Sequence, residues 1–226
     1  LLGAYLNGLG LTDGAVYYIT KAPPSEMTWL SEPDALRHGI ELSAQKTQSD
    51  AKQELSPALA GPFEDALAAY DRGDYATAFE LFSNLAAKGA AGAQFNLGLM
   101  YAKGHGVPQD YAEAIKWYRS AADLGHSASQ LNLGSLYAGG HGAPQDYAEA
   151  MKWYRRAADN GAAAAQFNLG LMYANGHGVP QDYAEAIKWY RVAADQGHAN
   201  AAANIGFMHS HGQGVPRDGA EASKWY

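Results

Sequence analysis

Cysteine is absent from the 226 residues, which removes disulfides, cysteine-ligated zinc and a thiol nucleophile. It leaves the redox compartment open, because a chain without thiols suits reducing and oxidising media alike. Basic residues are the minority: 16 Lys and Arg stand against 23 Asp and Glu, a formal charge of −7. Binding to a phosphate backbone needs clustered Lys and Arg, so this balance argues against nucleic acid as a partner. No apolar run approaches the roughly 20 residues of a membrane helix, and no membrane span is expected in this sequence. The remaining composition, 47% hydrophobic and 17% charged, is that of an ordinary folded protein and not of a disordered one.

What is present is repetition, which is read first because it decides the fold. The run Gln94–Arg119 returns at Gln166–Arg191 with Lys103 replaced by Asn175, and Gln130–Arg155 is a looser copy. A fourth copy starts near His198 and runs to Tyr226. Leu97-Gly98, Leu133-Gly134, Leu169-Gly170 and Ile205-Gly206 mark one place in each copy, 36 residues apart. Each unit reads as two helices. Helix A covers about Ala91–Ala102, with Ala93, Leu97 and Tyr101 on one face. The loop Gly104-His105-Gly106-Val107-Pro108-Gln109 ends it. Helix B begins at Asp110, and Asp110 with Glu113 has the form of a capping box, repeated at Asp146/Glu149, Asp182/Glu185 and Asp218/Glu221. Ala114, Tyr118 and Ala121 form its buried face, while Glu113, Lys116, Arg119 and Asp123 face solvent.

A shorter unit, Phe63–Arg72 and Tyr75–Ala87 joined at Gly73-Asp74, precedes the repeats and reads as the first hairpin of the stack. Residues 44–61 have the composition of a linker, and residues 1–43 belong to a different segment with two or three short helices. Leu1 is not Met and Tyr226 falls in mid-repeat, so the sequence reads as a piece of a longer protein, with any signal peptide upstream.

A single hairpin cannot bury its apolar face alone, so the repeats must stack. Gly98, Ala114 and Ala121 let helices approach, and Tyr101, Trp117 and Tyr118 fill the gaps, as do their equivalents one repeat on. A mid-helix glycine costs about 0.5–1 kcal/mol relative to Ala. Its return at one position four times implies close helix contact there.

Ala93-Gln94-Phe95-Asn96-Leu97-Gly98-Leu99-Met100-Tyr101, the Gly104–Pro108 loop, Ala112–Tyr118 and Ala121–Gly125 together resemble the Sel-one-like repeat, a relative of the tetratricopeptide repeat. The resemblance covers about residues 62–226, with units 62–89, 90–125, 126–161, 162–197 and a truncated 198–226. It implies an all-α, right-handed α/α superhelical solenoid with a concave groove, and a role in scaffolding and complex assembly. Tyr5-Leu6, Leu9-Gly10-Leu11, Ala22-Pro23-Pro24, Met27–Leu30 and Gly39-Ile40 resemble the tail of ClpP-like (crotonase-type) periplasmic proteins of bacteria. That family keeps its nucleophile upstream of such a tail, and no Gly-x-Ser-x-Gly stands here. This resemblance implies a cell-envelope or periplasmic location and fusion to a protease-like domain.

By likeness to tetratricopeptide repeats, Asn96, Asn132, Asn168 and Asn204 face the groove and clasp an extended peptide through amide hydrogen bonds, with Phe95, Leu131, Phe167, Leu99 and Leu171 as apolar neighbours. The other reading of the same residues is that they tie adjacent helices together. Lys103, Gly139, Asn175 and His211 vary at a nearby position. His105, His141 and His177 read as exposed loop residues, because equivalent positions of packed helices, some 8–10 Å apart, cannot share one metal ion. His209 and His211 are two apart on a helix and do not face one another. Trp117, Trp153, Trp189 and Trp225 read as packing residues of helix B. No cofactor, metal site or catalytic constellation is expected. The expected function is a peptide- or protein-binding adaptor that is not an enzyme, with a structural envelope spacer, or a hydrolase whose active site lies upstream, as the alternatives.

Overall fold

A computed structural model describes residues 57–226. The chain divides into two compact units, Leu1–His38 and Gly39–Tyr226. The first lies wholly outside the described residues. So do the ClpP-like resemblance and most of the expected linker.

Ten helices and no strands are found among the described residues. They are α1 (Pro57–Asp71), α2 (Tyr75–Ala86), α3 (Ala91–Lys103), α4 (Tyr111–Asp123), α5 (Ser127–Gly139), α6 (Tyr147–Asp159), α7 (Ala163–Asn175), α8 (Tyr183–Asp195), α9 (Ala199–His211) and α10 (Gly219–Trp225). Each packs chiefly on the helices immediately before and after it in the chain, which makes this unit the solenoid that the periodicity requires. The A helices are α3, α5, α7 and α9; the B helices are α4, α6, α8 and α10.

The repeated glycine of helix A does what its cost implied. A Cβ on Gly98 would lie 2.6 Å from the Tyr118 ring, and on Gly134 or Gly170 it would lie 2.5 Å from Tyr154 or Tyr190. Each glycine therefore lies flat against the tyrosine of its own B helix, and no other residue fits without movement. Ala114, Ala150 and Ala186 are fully buried beside them. The apolar clusters cross from repeat to repeat: Phe95 of α3 packs with Leu133 and Leu136 of α5 and with Trp153 of α6. Leu131 of α5 likewise packs with Leu169 and Met172 of α7. The four tryptophans each pack against the cluster of the unit before, as the helix B reading required.

Glycines shape the loop between A and B. Gly140 (φ 67°) ends α5 in the left-handed region, and Gly142 (φ 75°) puts its α-carbon where a Cβ would lie 2.5 Å from the Tyr111 carbonyl carbon of the preceding repeat. The loop thus sits on the first turn of the previous B helix, and glycine is required twice over.

Three sequence expectations need revision. First, α1 starts at Pro57, six residues before the expected Phe63, so the end of the 44–61 linker is helical. Pro57 suits a first turn, which lacks N–H acceptors, and Pro62 lies near enough to the start to remove only one intrahelical bond. Second, the capping box is half made. Asp146 and Asp182 accept the N–H of Glu149 and Glu185, both at 2.9 Å. No glutamate returns the bond, because the N–H of Asp146 and Asp182 already donates to the carbonyls of Tyr137 and Tyr173 at the end of helix A. The glutamates pair instead with Lys116, Lys152, Lys188 and Lys224 one turn on. Third, two of the three loop histidines, His105 and His177, are half-buried, while His141 is exposed as expected. His105 stacks on Tyr75 and His177 on Tyr147, both at 4.4 Å, and His141 leans on Tyr111 at 5.3 Å.

Candidate functional site

The A helices form one layer with a shared polar row. Asn96, Asn132, Asn168 and Asn204 are 2%, 1%, 9% and 7% exposed, so the row lies inside the stack and is most open toward its C-terminal end. The Asn96 amide donates to the Gly92 carbonyl at 2.8 Å. Asn132 and Asn204 lie beside the hydroxyls of Tyr118 and Tyr190 in the preceding B helix, but the Asn132 amide and the Tyr118 hydroxyl are buried without a hydrogen-bond partner. Burial pushes both phenols well above their ordinary range, so both stay protonated and able to donate. Ser135, which replaces a leucine in α5, meets the Tyr154 hydroxyl at 3.2 Å.

The apolar companions lie beside this row. Phe95, Leu131, Phe167 and Leu99 are buried, and Leu171 is half-buried. Phe95 contacts Tyr118 and His126, and Phe167 contacts Tyr190 and His198. At the variable position, Lys103, Asn175 and His211 are exposed and Gly139 is half-buried. The A layer contains no Asp or Glu from α3 through α9, whereas every B helix from α4 to α10 carries at least one. From α3 onward the acidic side chains thus lie in the B helices and the loops, while α1 and α2 of the first hairpin carry Glu64, Asp65, Asp71 and Glu80.

The B layer has its own ladder. Arg119 and Arg156 lie over the Trp153 ring at 5.9 and 4.6 Å, and Arg155 lies over Trp189 at 4.7 Å. Arg119 also donates to the Tyr137 hydroxyl at 2.5 Å. Arg119 and Arg155 thereby join successive repeats, Arg156 reaches Trp153 within α6, and together they occupy the faces that a stacked sugar or base would need. The first hairpin contributes Tyr70, whose hydroxyl meets His105 Nδ1 at 2.8 Å and whose pKa burial pushes up to about 12. Among the described residues no three His, Asp or Glu side chains cluster to hold a metal ion, and no helix is long and apolar enough to cross a membrane.

Several structural residues escaped the sequence reading. Gln109, Gln145 and Gln181 each donate to a carbonyl in the last turn of helix A at 2.7 Å. Gln130 donates to the Ala122 carbonyl and accepts from Asn160, and Gln166 does the same with Ala158 and Gln196. The signal was there, since glutamine returns at both places, but its partners lie 7, 8 or 30 residues away and no local rule links them.

Comparison with known proteins follows from this geometry. The Sel1 repeat model matches residues 91–126, 127–161, 163–198 and 199–226. A Sel1 repeat protein from Oxalobacter formigenes is 34% identical with TM-score 0.70, over 85% of this chain and 80% of its own. A protective antigen of uropathogenic Escherichia coli with this fold is 38% identical with TM-score 0.71, over 83% of this chain but only 39% of its own length. A putative Sel1 repeat protein of Klebsiella pneumoniae, 20% identical with TM-score 0.50 over 82% of this chain and 89% of its own, shares the fold. Comparison with curated proteins finds no significant match. The glycine-on-tyrosine contacts, the Gly-x-Gly loop seated on the previous repeat and the matched repeat units lead to one assignment: the chain belongs to the Sel1 repeat family.

Proposed function

We propose that this chain is a non-catalytic scaffold that holds a protein or extended peptide along its A layer. Family membership carries the coarse reading, since Sel1 repeat proteins serve in general as protein-interaction scaffolds. The observation that carries the finer one is the asparagine row, returned at one register in four A helices within a layer free of carboxylates. A peptide backbone or an acidic side chain meets no repulsion there, and asparagine supplies both donor and acceptor. Access is best near Asn168 and Asn204, where Leu171 and Phe207 are half-buried. Lys103, Asn175 and His211 at the layer's edge supply the variable contacts.

The test is calorimetric titration of a purified partner against Asn132→Ala/Asn168→Ala, beside thermal melts. Loss of bonds worth about 0.5–1.5 kcal/mol each weakens affinity on the order of ten- to a hundredfold, with the melting temperature kept. A lower melting temperature at unchanged affinity would make the row an internal tie instead. The envelope location rests on the resemblance of residues 1–43 to ClpP-like periplasmic proteins, and fractionation of cells making the full-length protein tests it.

A further inference from the structure

The four A helices start in alternation with Ala90, His126, Ala162 and His198. The alanines offer no side-chain cap, but the imidazoles do. His126 Nδ1 accepts the Ser129 N–H, and His198 Nδ1 accepts the Ala201 N–H, both at 3.3 Å. Each ring also closes the seam to the repeat before it, lying 4.8 Å from Phe95 and 4.5 Å from Phe167 respectively. One side chain thus holds both the first helical turn and the joint. A nitrogen that accepts an N–H must carry its lone pair. A proton on it turns an acceptor into a donor facing the amide donor, and sets a positive charge at the positive end of the helix dipole; at His126 the Ser129 hydroxyl, 3.0 Å from Nδ1, must also turn from donor to acceptor.

We propose that His126 and His198 are acid-sensitive joints at alternate seams, where protonation of Nδ1 releases the first turn of α5 and of α9 from the preceding repeat while the alanine-started seams stay closed. The charged groups around each joint are few. Asp123 at the end of α4 is paired with Arg156 of α6 at 3.4 Å. On α3 the one charged side chain is Lys103 at the far end, and α5 and α7 have none. The remaining groups on α6 are Glu149, Lys152, Arg155 and Asp159. At the second joint α8 brings Glu185, Lys188, Arg191 and Asp195. His209 and His211 lie at the far end of α9, and α10 brings Asp218, Glu221 and Lys224. Burial holds His198 below the ordinary histidine range, against a smaller opposing effect of its own backbone. The unfolded chain, with its histidine near 6.5, therefore binds the proton more readily. The joint is complete above about pH 6.5 and drains away as pH falls toward the lower folded value. The loop histidines differ: they cap no helix, and the fourth repeat has Gln213 at their position, although burial holds His105 below the ordinary histidine range as well.

Thermal melts from about pH 7.5 to 5 compare the parent with His126→Asn/His198→Asn, since asparagine caps a helix without titrating. The expected result is a fall of melting temperature with acid in the parent that flattens in the double variant and persists in His105→Gln/His141→Gln/His177→Gln. Ring 15N spectra of the parent decide the matter if the double variant fails to fold. They should show His198 as the Nε2–H tautomer at neutral pH, titrating below 6.5. Acid should also lower the exchange protection of the Ser129 and Ala201 amides relative to Ala93 and Ala165. A parent-like slope in the double variant, or a His198 titrating at 6.5 or above, overturns the proposal.

Discussion

Gln94, Gln130 and Gln166 hold one position in successive A helices, yet their surroundings differ by a single residue. Gln130 and Gln166 are bonded at both ends, to a carbonyl of the previous B helix and to Asn160 or Gln196. Gln94 makes the first bond, to Ala86, but its Oε1 is buried without a partner because Leu124 stands where the amide should be. Leu124 itself is 55% exposed. Leu124→Asn is therefore expected to stabilise the chain by about 0.5–1.5 kcal/mol, the net worth of one hydrogen bond, read as a higher urea midpoint. In a Gln94→Ala background the gain should vanish, which separates the bond from the removal of exposed apolar surface.

At the scale of the helix, the two acidic residues that open each B helix have unequal roles. Asp182 caps α8 by accepting the Glu185 N–H, while the Glu185 side chain reaches Lys188 in an exposed pair. Asp182→Ala is expected to cost about 0.5–2 kcal/mol, and Glu185→Ala distinctly less, because exposed pairs contribute little. Equal losses in chemical denaturation would mean that the box closes in solution after all. The pattern Asp-x-x-Glu announced a box, but the competing acceptor, the carbonyl of the tyrosine nine residues earlier, depends on how the loop folds back. In the same way the Gln145 amide closes the end of α5 through a carbonyl seven residues back.

Across the solenoid, energy passes only between neighbours, because each helix packs chiefly on the one before and the one after. Gly134→Leu drives a side chain into the Tyr154 ring, where even a Cβ would lie 2.5 Å away, and overpacking of this kind costs about 1–3 kcal/mol. The loss should stay local. Hydrogen exchange should quicken in α5 and α6 and less in α4 and α7, while α1 and α2 keep the parent's protection. Uniform loss across all ten helices would show a single cooperative unit instead.

The repeat length, the two-helix unit, the glycine that implies close helix contact and the aspartate caps were all legible in the amino-acid string. Each follows from spacing along one chain or from a cost that only close packing offsets. The site was less legible. Asn96, Asn132, Asn168 and Asn204 were found by their register, but that they lie inside the stack, with Tyr118 and Tyr190 of the preceding helices beside Asn132 and Asn204, came from the folded arrangement. The stacking of His105 and His177 on tyrosines, the caps made by His126 and His198, and the glutamine brackets were likewise visible only in three dimensions. Side-chain periodicity tells which residues share a face. It does not tell which residue of the next repeat that face meets, because the angle and offset between hairpins are set by packing that no local pattern encodes.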